Sequence, residues 1–173
     1  MKQQISDCVL HYSNICTKVL KDFAPEYYVV KKIVKVDYSP NRKTHRGGIY
    51  AKGPGFNLAG DSLLYFANQQ KKYGVIHFME YKSFEKDPII GSAFTDDWES
   101  YVALTVGHEV SHAVQLYIEK MRKLERGAPH GDFFKKIYTM LRIELNRQLP
   151  DQKAAQKEFQ DLLKSVRKIE YEL

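Results

Sequence analysis

Between Asp96 and Lys123 the chain carries a helical pattern with two committed faces, and no other stretch constrains the fold as tightly. Val102, Val106, Val110, Ala113 and Tyr117 recur at helical spacing and make one apolar stripe that the rest of the molecule has to cover. His108 and His112 project away from that stripe, toward a second face. Asp96 as N-cap with Glu99 three residues on reads as a capping box, so a helix is expected from there to about Lys123.

The second face has the pattern His108-Glu109-Val110-Ser111-His112. Residues four apart on a helix have Cβ atoms about 5–6 Å apart, so two imidazoles there reach one zinc ion at about 2.0–2.1 Å per bond. Glu109 then addresses a water on that metal, which is the arrangement of a zinc-dependent hydrolase, most often a peptidase. A catalytic site of this kind needs a third protein ligand and a position left for water or substrate. His130, in Ala128-Pro129-His130-Gly131, is the foremost candidate, because a helix that runs out and a loop that returns bring it back over the first two ligands. Glu109 is needed for the chemistry, and Asp132 with it would not complete the set. His11, His45 and His77 read as ordinary core or surface histidines. Tyr101, Tyr117 and Arg46 qualify by residue type as donors to a developing oxyanion, and none is singled out.

Upstream, Ile5, Val9, Tyr12, Cys16, Val19, Leu20 and Phe23 predict an amphipathic helix over about 2–22, with Pro25 just beyond it. Tyr27 to Tyr38 reads as a first strand with a basic face, followed by a turn at Ser39-Pro40-Asn41. Gly47 to Ala51 and Phe56 to Leu58 suggest a hairpin around Lys52-Gly53-Pro54-Gly55, and Tyr73 to Phe84 alternates as a further strand. Glu85 to Thr95 is expected to be a loop. A helix is expected over Asp132 to Gln148 with Phe134, Ile137, Met140, Leu141 and Leu145 inward. After the break at Pro150-Asp151 a last helix would bury Ala155, Phe159, Leu162, Val166 and Ile169. The fold class expected is α+β: an N-terminal helix, a small, mainly antiparallel sheet, the motif helix and two more, in one domain over 1–173 with a cleft between sheet and motif helix.

Composition limits the partners. The chain of 173 residues suits a single domain with its own core. Its 27 Lys and Arg against 21 Asp and Glu give +6, which is compatible with DNA, nucleoprotein or anionic partners. The start lacks the apolar core of a signal peptide, and no run approaches the ~18 apolar residues of a membrane span. A cytoplasmic, intracellular protein without membrane association is expected. Cys8 and Cys16, if on one helix, lie about 12 Å apart along its axis, which is too far for a disulfide, and they read as core thiols.

Taken together, His108-Glu109-x-x-His112 and Ala128-Pro129-His130-Gly131-Asp132-Phe133-Phe134 resemble the SprT-like metallopeptidases, whose pattern is H-E-x-x-H, a short helix–loop passage, then His-Gly-x-x-aromatic. The resemblance covers about residues 96–145 and, more loosely, the β-rich segment before it, where Gly47-Gly48-Ile49-Tyr50 is similar to a glycine-containing strand of that family. It implies a zincin-like fold, zinc ligands at His108, His112 and His130, a general base at Glu109 and a packing aromatic at Phe134. The strand-like region between Leu58 and the motif helix looks longer than in short family members. Spartan-type and many bacterial relatives append a cysteine zinc ribbon or DNA-binding elements. The sequence shows neither, so the resemblance carries a peptidase core and not a DNA-dependent activity.

The expected activity is hydrolysis of peptide bonds in a protein or peptide substrate through a metal-activated water, with DNA-associated proteins as one substrate class. An edge strand beside the metal would receive extended substrate backbone, with Tyr73 to Phe84 as first choice and Ile49 to Leu58 as second. Two alternatives stand beside it. One is a zinc hydrolase of non-peptide bonds on the same scaffold. The other is a nucleic-acid-associated binding module with structural or vestigial zinc, motivated by Lys31, Lys32, Lys35, Lys71, Lys72, Lys164 and Lys168.

Overall fold

The computed structural model describes residues 1–28, 35–38, 44–50, 53–73, 78–79, 94–95 and 97–149. Four helices, a three-stranded sheet and a separate two-stranded pair make up this part: α1 (Lys2–Phe23), β1 (Lys35–Asp37), β2 (Arg46–Tyr50), β3 (Gly53–Ala59), α2 (Gly60–Tyr73), β4 (Phe78–Met79), β5 (Phe94–Thr95), α3 (Trp98–Met121) and α4 (Asp132–Gln148). The α+β class expected from the sequence is the one observed.

α1 buries Ile5, Val9, Tyr12, Cys16, Val19 and Leu20 against the other helices, as its spacing predicts, while Phe23 at its end is exposed. Cys8 and Cys16 are buried free thiols. Burial pushes the Cys16 thiol up to about 12, which keeps it protonated and inert. After Ala24, Pro25–Tyr27 form a 3₁₀ turn, so the β structure expected from Tyr27 is first seen at Lys35; residues 29–34 lie outside the described residues. Proline at the start of that turn supplies a preset φ and ends the helical run.

The three-stranded sheet has the order β1-β3-β2. β2 and β3 form the expected antiparallel hairpin, with Gly48 opposite Gly55 and Tyr50 opposite Gly53. Gly53 to Gly55, placed in the turn by the sequence reading, belong to β3 itself. Pro54 lies opposite Ile49 of β2, and among the described residues pairing with β1 runs from Asn57 to Ala59. β1 runs parallel to β3, so the sheet is mixed. Phe78–Met79 pair antiparallel with Phe94–Thr95, which places strand at the end of the expected loop. The remainder of the strand expected over 73–84, and the last helix expected around 155–169, lie outside the described residues.

Two features depart from expectation. Gly60–Tyr73 is a helix, where the sequence looked strand-like. Its core face rests on Leu63 and Ala67 one turn apart, with Tyr65 and Tyr73 exposed, so its apolar periodicity is weak. The second concerns α3, which is not covered on one side only. Every residue from Ser100 to Ser111 is buried, and α1, α2, the sheet and α4 pack around the helix. Its N-cap is Asp97, whose carboxylate accepts the Ser100 amide at 2.8 Å, one residue later than the capping box anticipated. α4 spans the predicted residues, with Tyr138 taking the fully buried place expected of Met140. A helix surrounded on all sides by packed elements is a rigid base for side chains that must hold fixed positions.

Candidate metal centre

His108 and His112 leave α3 one turn apart, and the loop from Arg122 to Gly131 brings His130 back against them. The Nε2 atoms of His112 and His108 are 3.1 Å apart, those of His112 and His130 3.1 Å, and those of His130 and His108 3.2 Å. The three side chains are close enough to hold one metal ion. All three residues proposed from the sequence as ligands therefore come together at one point.

Three imidazole nitrogens facing a common point do not satisfy one another. Each neutral ring has a single N–H and a single lone pair, and a closed triangle of nitrogens leaves no linear hydrogen bond. A cation at the centre turns the same lone pairs into ligands, so the donor set fits a metal. Protonation supports this. Burial, and after it the neighbouring His112 and His130, hold the His108 imidazole well below its usual value. Burial and His130 bring His112 down to about 4. Near neutral pH both rings are thus neutral, the form that binds metal.

Phe134, the aromatic implied by the resemblance, lies against all three rings, with centroids 5.0 Å from His108, 4.4 Å from His112 and 4.9 Å from His130. Tyr138, one helical turn on, stacks on Phe134 and meets His108 edge-on at 5.6 Å. This aromatic floor excludes water from one side of the cluster and limits rotation of the imidazoles.

Glu109 is buried, and its Oε2 accepts a hydrogen bond from the Gly47 amide of β2. β2 approaches α3 closely at this point. A Cβ at position 47 would overlap the Glu109 carbonyl oxygen and come within 2.8 Å of the His112 Cβ, so glycine is required there. Among the described residues β2 is at the edge of the three-stranded sheet, and it borders the motif helix at Glu109 and His112. Of the two strands proposed for that place, Ile49 to Leu58 overlaps the end of β2, whereas most of Tyr73 to Phe84 lies outside the described residues.

Of the remaining histidines, His11 is exposed on α1 and His77 lies outside the described residues. His45 holds the sheet to α3. Its Nδ1 accepts the Ala59 amide at 3.1 Å, which leaves the proton on Nε2 to donate to the Tyr101 hydroxyl at 3.3 Å. Tyr101 is buried and also meets Ser62 Oγ at 3.4 Å; Tyr117 is half-buried and Arg46 exposed. Sequence reasoning missed the Gly47 amide and two buried polar residues, Gln115 and Glu119. A signal for the latter pair was present: His108, His112, Gln115 and Glu119 are spaced four, three and four apart on one helix face, a polar line on an otherwise apolar helix.

No family model, no curated protein and no solved structure matches this chain. Among the described residues no helix is long and apolar enough to cross a membrane.

Proposed function

We propose that this chain is a zinc-dependent metallopeptidase of the SprT-like kind, an endopeptidase with His108, His112 and His130 as metal ligands and Glu109 as general base. The convergence of the three Nε2 atoms at 3.1–3.2 Å carries this reading. Nitrogens bonded to zinc at about 2.0–2.1 Å in tetrahedral geometry lie about 3.3 Å apart, close to the spacing here. A set of three imidazoles suits zinc and leaves a coordination position for the reaction, as catalytic sites do.

Zinc, when bound, supplies Lewis acidity, which makes water nucleophilic near neutral pH and polarises the scissile carbonyl. The protein's own part follows from its geometry. Glu109, on the turn that carries both helix-borne ligands, takes a proton from the attacking water as the new C–O bond forms. It delivers that proton to the amine nitrogen as the C–N bond breaks. The Gly47 amide on Oε2 fixes the direction of the carboxylate. Phe134 and Tyr138 keep the imidazoles oriented and shielded from water. Among the described residues β2 is an edge strand beside the histidines, and an edge strand favours a peptide over other substrates because extended backbone can add to it. The excess of positive charge makes proteins bound to DNA the first substrates to try.

The test combines metal content with proteolysis of casein and of DNA-bound protein. One zinc per chain is expected in wild type and in Glu109→Gln. Loss of a general base lowers kcat by about 10²–10⁴-fold. Folded protein that takes up no zinc ends the reading. Undiminished hydrolysis by zinc-loaded Glu109→Gln removes Glu109 from the chemistry.

A further inference from the structure

We propose that Gln115 and Glu119 are positioning residues for His130, acting as a buried polar clamp that holds the loop carrying the third ligand. The inference rests on the reading of His130 as a metal ligand. Side chains from Arg122 to Pro129 are exposed, so apolar burial does not fix the course of this loop. Gln115 and Glu119, by contrast, are only 2% and 6% exposed. Burying an amide and a carboxylate costs several kcal/mol unless hydrogen bonds replace water. Gln115 Nε2 and Glu119 Oε1 bond to each other and to the loop, while Gln115 Oε1 and Glu119 Oε2 are buried without a partner among the described residues.

Gln115 Nε2 donates to the Ala128 carbonyl at 3.1 Å and to Glu119 Oε1 at 2.8 Å. The same Oε1 accepts the Gly127 amide at 3.2 Å. Two successive loop residues are thus tied to α3 by backbone bonds, and the turn closed by the Gly131 amide on the Ala128 carbonyl, at 3.0 Å, places His130 next. A Cβ at Gly127 would sit 3.0 Å from Glu119 Oε1 and 3.4 Å from Gln115 Nε2, so an added methyl would press on both groups of the clamp. The clamp lies one and two turns beyond His112 on the same face of α3. One polar line therefore carries two ligands at one end and the anchor of the third at the other.

A role confined to stability would weaken zinc binding, if at all, regardless of His130. A positioning role makes the two depend on each other. Zinc affinity is measured by competition with a chromophoric chelator, with the melting temperature of the metal-free protein alongside. The proteins are wild type, Gln115→Ala, Glu119→Ala and Glu119→Gln, each with and without His130→Ala. Loss of the clamp is expected to weaken zinc about tenfold, as for other residues that orient metal ligands. Glu119→Gln keeps an oxygen for both donors and should stay within about twofold. With His130 absent the clamp variants should bind zinc as their parent does. If Glu119→Ala does not fold, Gln115→Ala and Gly127→Ala decide the matter. Equal weakening with and without His130 overturns the clamp, as does tight binding that needs His130 but neither Gln115 nor Glu119. Wild-type protein that takes up no zinc, or His130→Ala that binds zinc as wild type does, overturns the metal-site reading and the clamp with it.

Discussion

The two halves of the candidate site are held in opposite ways. His108, Glu109 and His112 come from the middle of a helix packed on all sides, with His108 and Glu109 only 6% and 7% exposed. His130 comes from a loop with exposed side chains, tied down by bonds to its backbone. On the helix the geometry is set by the helical repeat, which any well-packed α3 would reproduce. On the loop it is set by a few directional bonds. Phe134 is the floor the halves share, since its ring meets all three imidazoles. A metal centre can therefore combine a rigid pair of ligands with a third whose position depends on distant polar groups.

Removing a ligand from each half gives the largest expected effect and the most direct way to break the comparison. Zinc sites worth about 10–16 kcal/mol spread over four ligands put each at about 3 kcal/mol, or over a hundredfold in affinity. His108→Ala, His112→Ala and His130→Ala should each lose that much, and proteolysis with it. The halves should differ without metal. His108→Ala removes a buried ring from contact with Phe134 and Tyr138 and should lower the stability of the metal-free protein by about 1–3 kcal/mol. His130→Ala, at a half-buried position on an otherwise exposed loop, should change it by about 0.5 kcal/mol or less. Chemical denaturation of the metal-free variants checks this, and a larger loss for His130→Ala would reverse the assignment of rigid and adjustable halves.

Gly47→Ala tests the helix-borne half from the sheet side. The added methyl meets the α3 backbone rather than a flexible side chain, so β2 has to move away. Overpacking of this kind costs about 1–3 kcal/mol. It also removes the amide from Glu109, so kcat should fall by a larger factor than zinc affinity. Affinity falling as far as kcat would mean that β2 supports the histidines as much as it supports the carboxylate.

The same contrast decides what was legible in the sequence. His108, Glu109 and His112 could be placed because their spacing equals the period of the structure that holds them. α1 and α4 were readable for the same reason, through Ile5, Val9 and Tyr12 in one and Phe134, Ile137 and Leu141 in the other. His130 was reachable only through its place between two helices and the Pro-His-Gly pattern. α2 was missed because only Gly60, Leu63 and Ala67 are fully buried, with Leu64 and Phe66 partly so, a stripe too weak to outweigh its polar residues. The parallel pairing of β1 with β3 and the contact of Gly47 with Glu109 join residues 20 or more positions apart, and no local period encodes such contacts. The stretch of α3 from Ser100 to Ser111 carried a further lesson: an apolar stripe gives the least a helix must bury, and polar residues such as Ser100, Thr105 and Ser111 are buried as well. Two of these bond back to the preceding turn, Thr105 to the Tyr101 carbonyl and Ser111 to the Gly107 carbonyl, each at 2.8 Å.

The smallest expected effect belongs to Tyr101→Phe, which sharpens the boundary of the rigid half. By residue type Tyr101 is a candidate donor to a developing oxyanion. Its hydroxyl, however, meets His45 Nε2 at 3.3 Å and Ser62 Oγ at 3.4 Å, and its ring packs against Phe66 with centroids 4.3 Å apart. Those contacts tie α3 to the start of β2 and to α2, a structural task. Losing a long hydrogen bond of this sort should cost about 0.5–1.5 kcal/mol of stability. kcat/KM should stay within about twofold, since a substitution away from the reacting atoms acts mainly on stability. A fall in kcat of about 10²–10³-fold, the range for a lost oxyanion donor, with zinc and fold intact, would instead place the hydroxyl at the reacting carbonyl. The rigid half of the site would then extend along α3 for two turns before His108, and His45 would become the group that orients a catalytic hydroxyl.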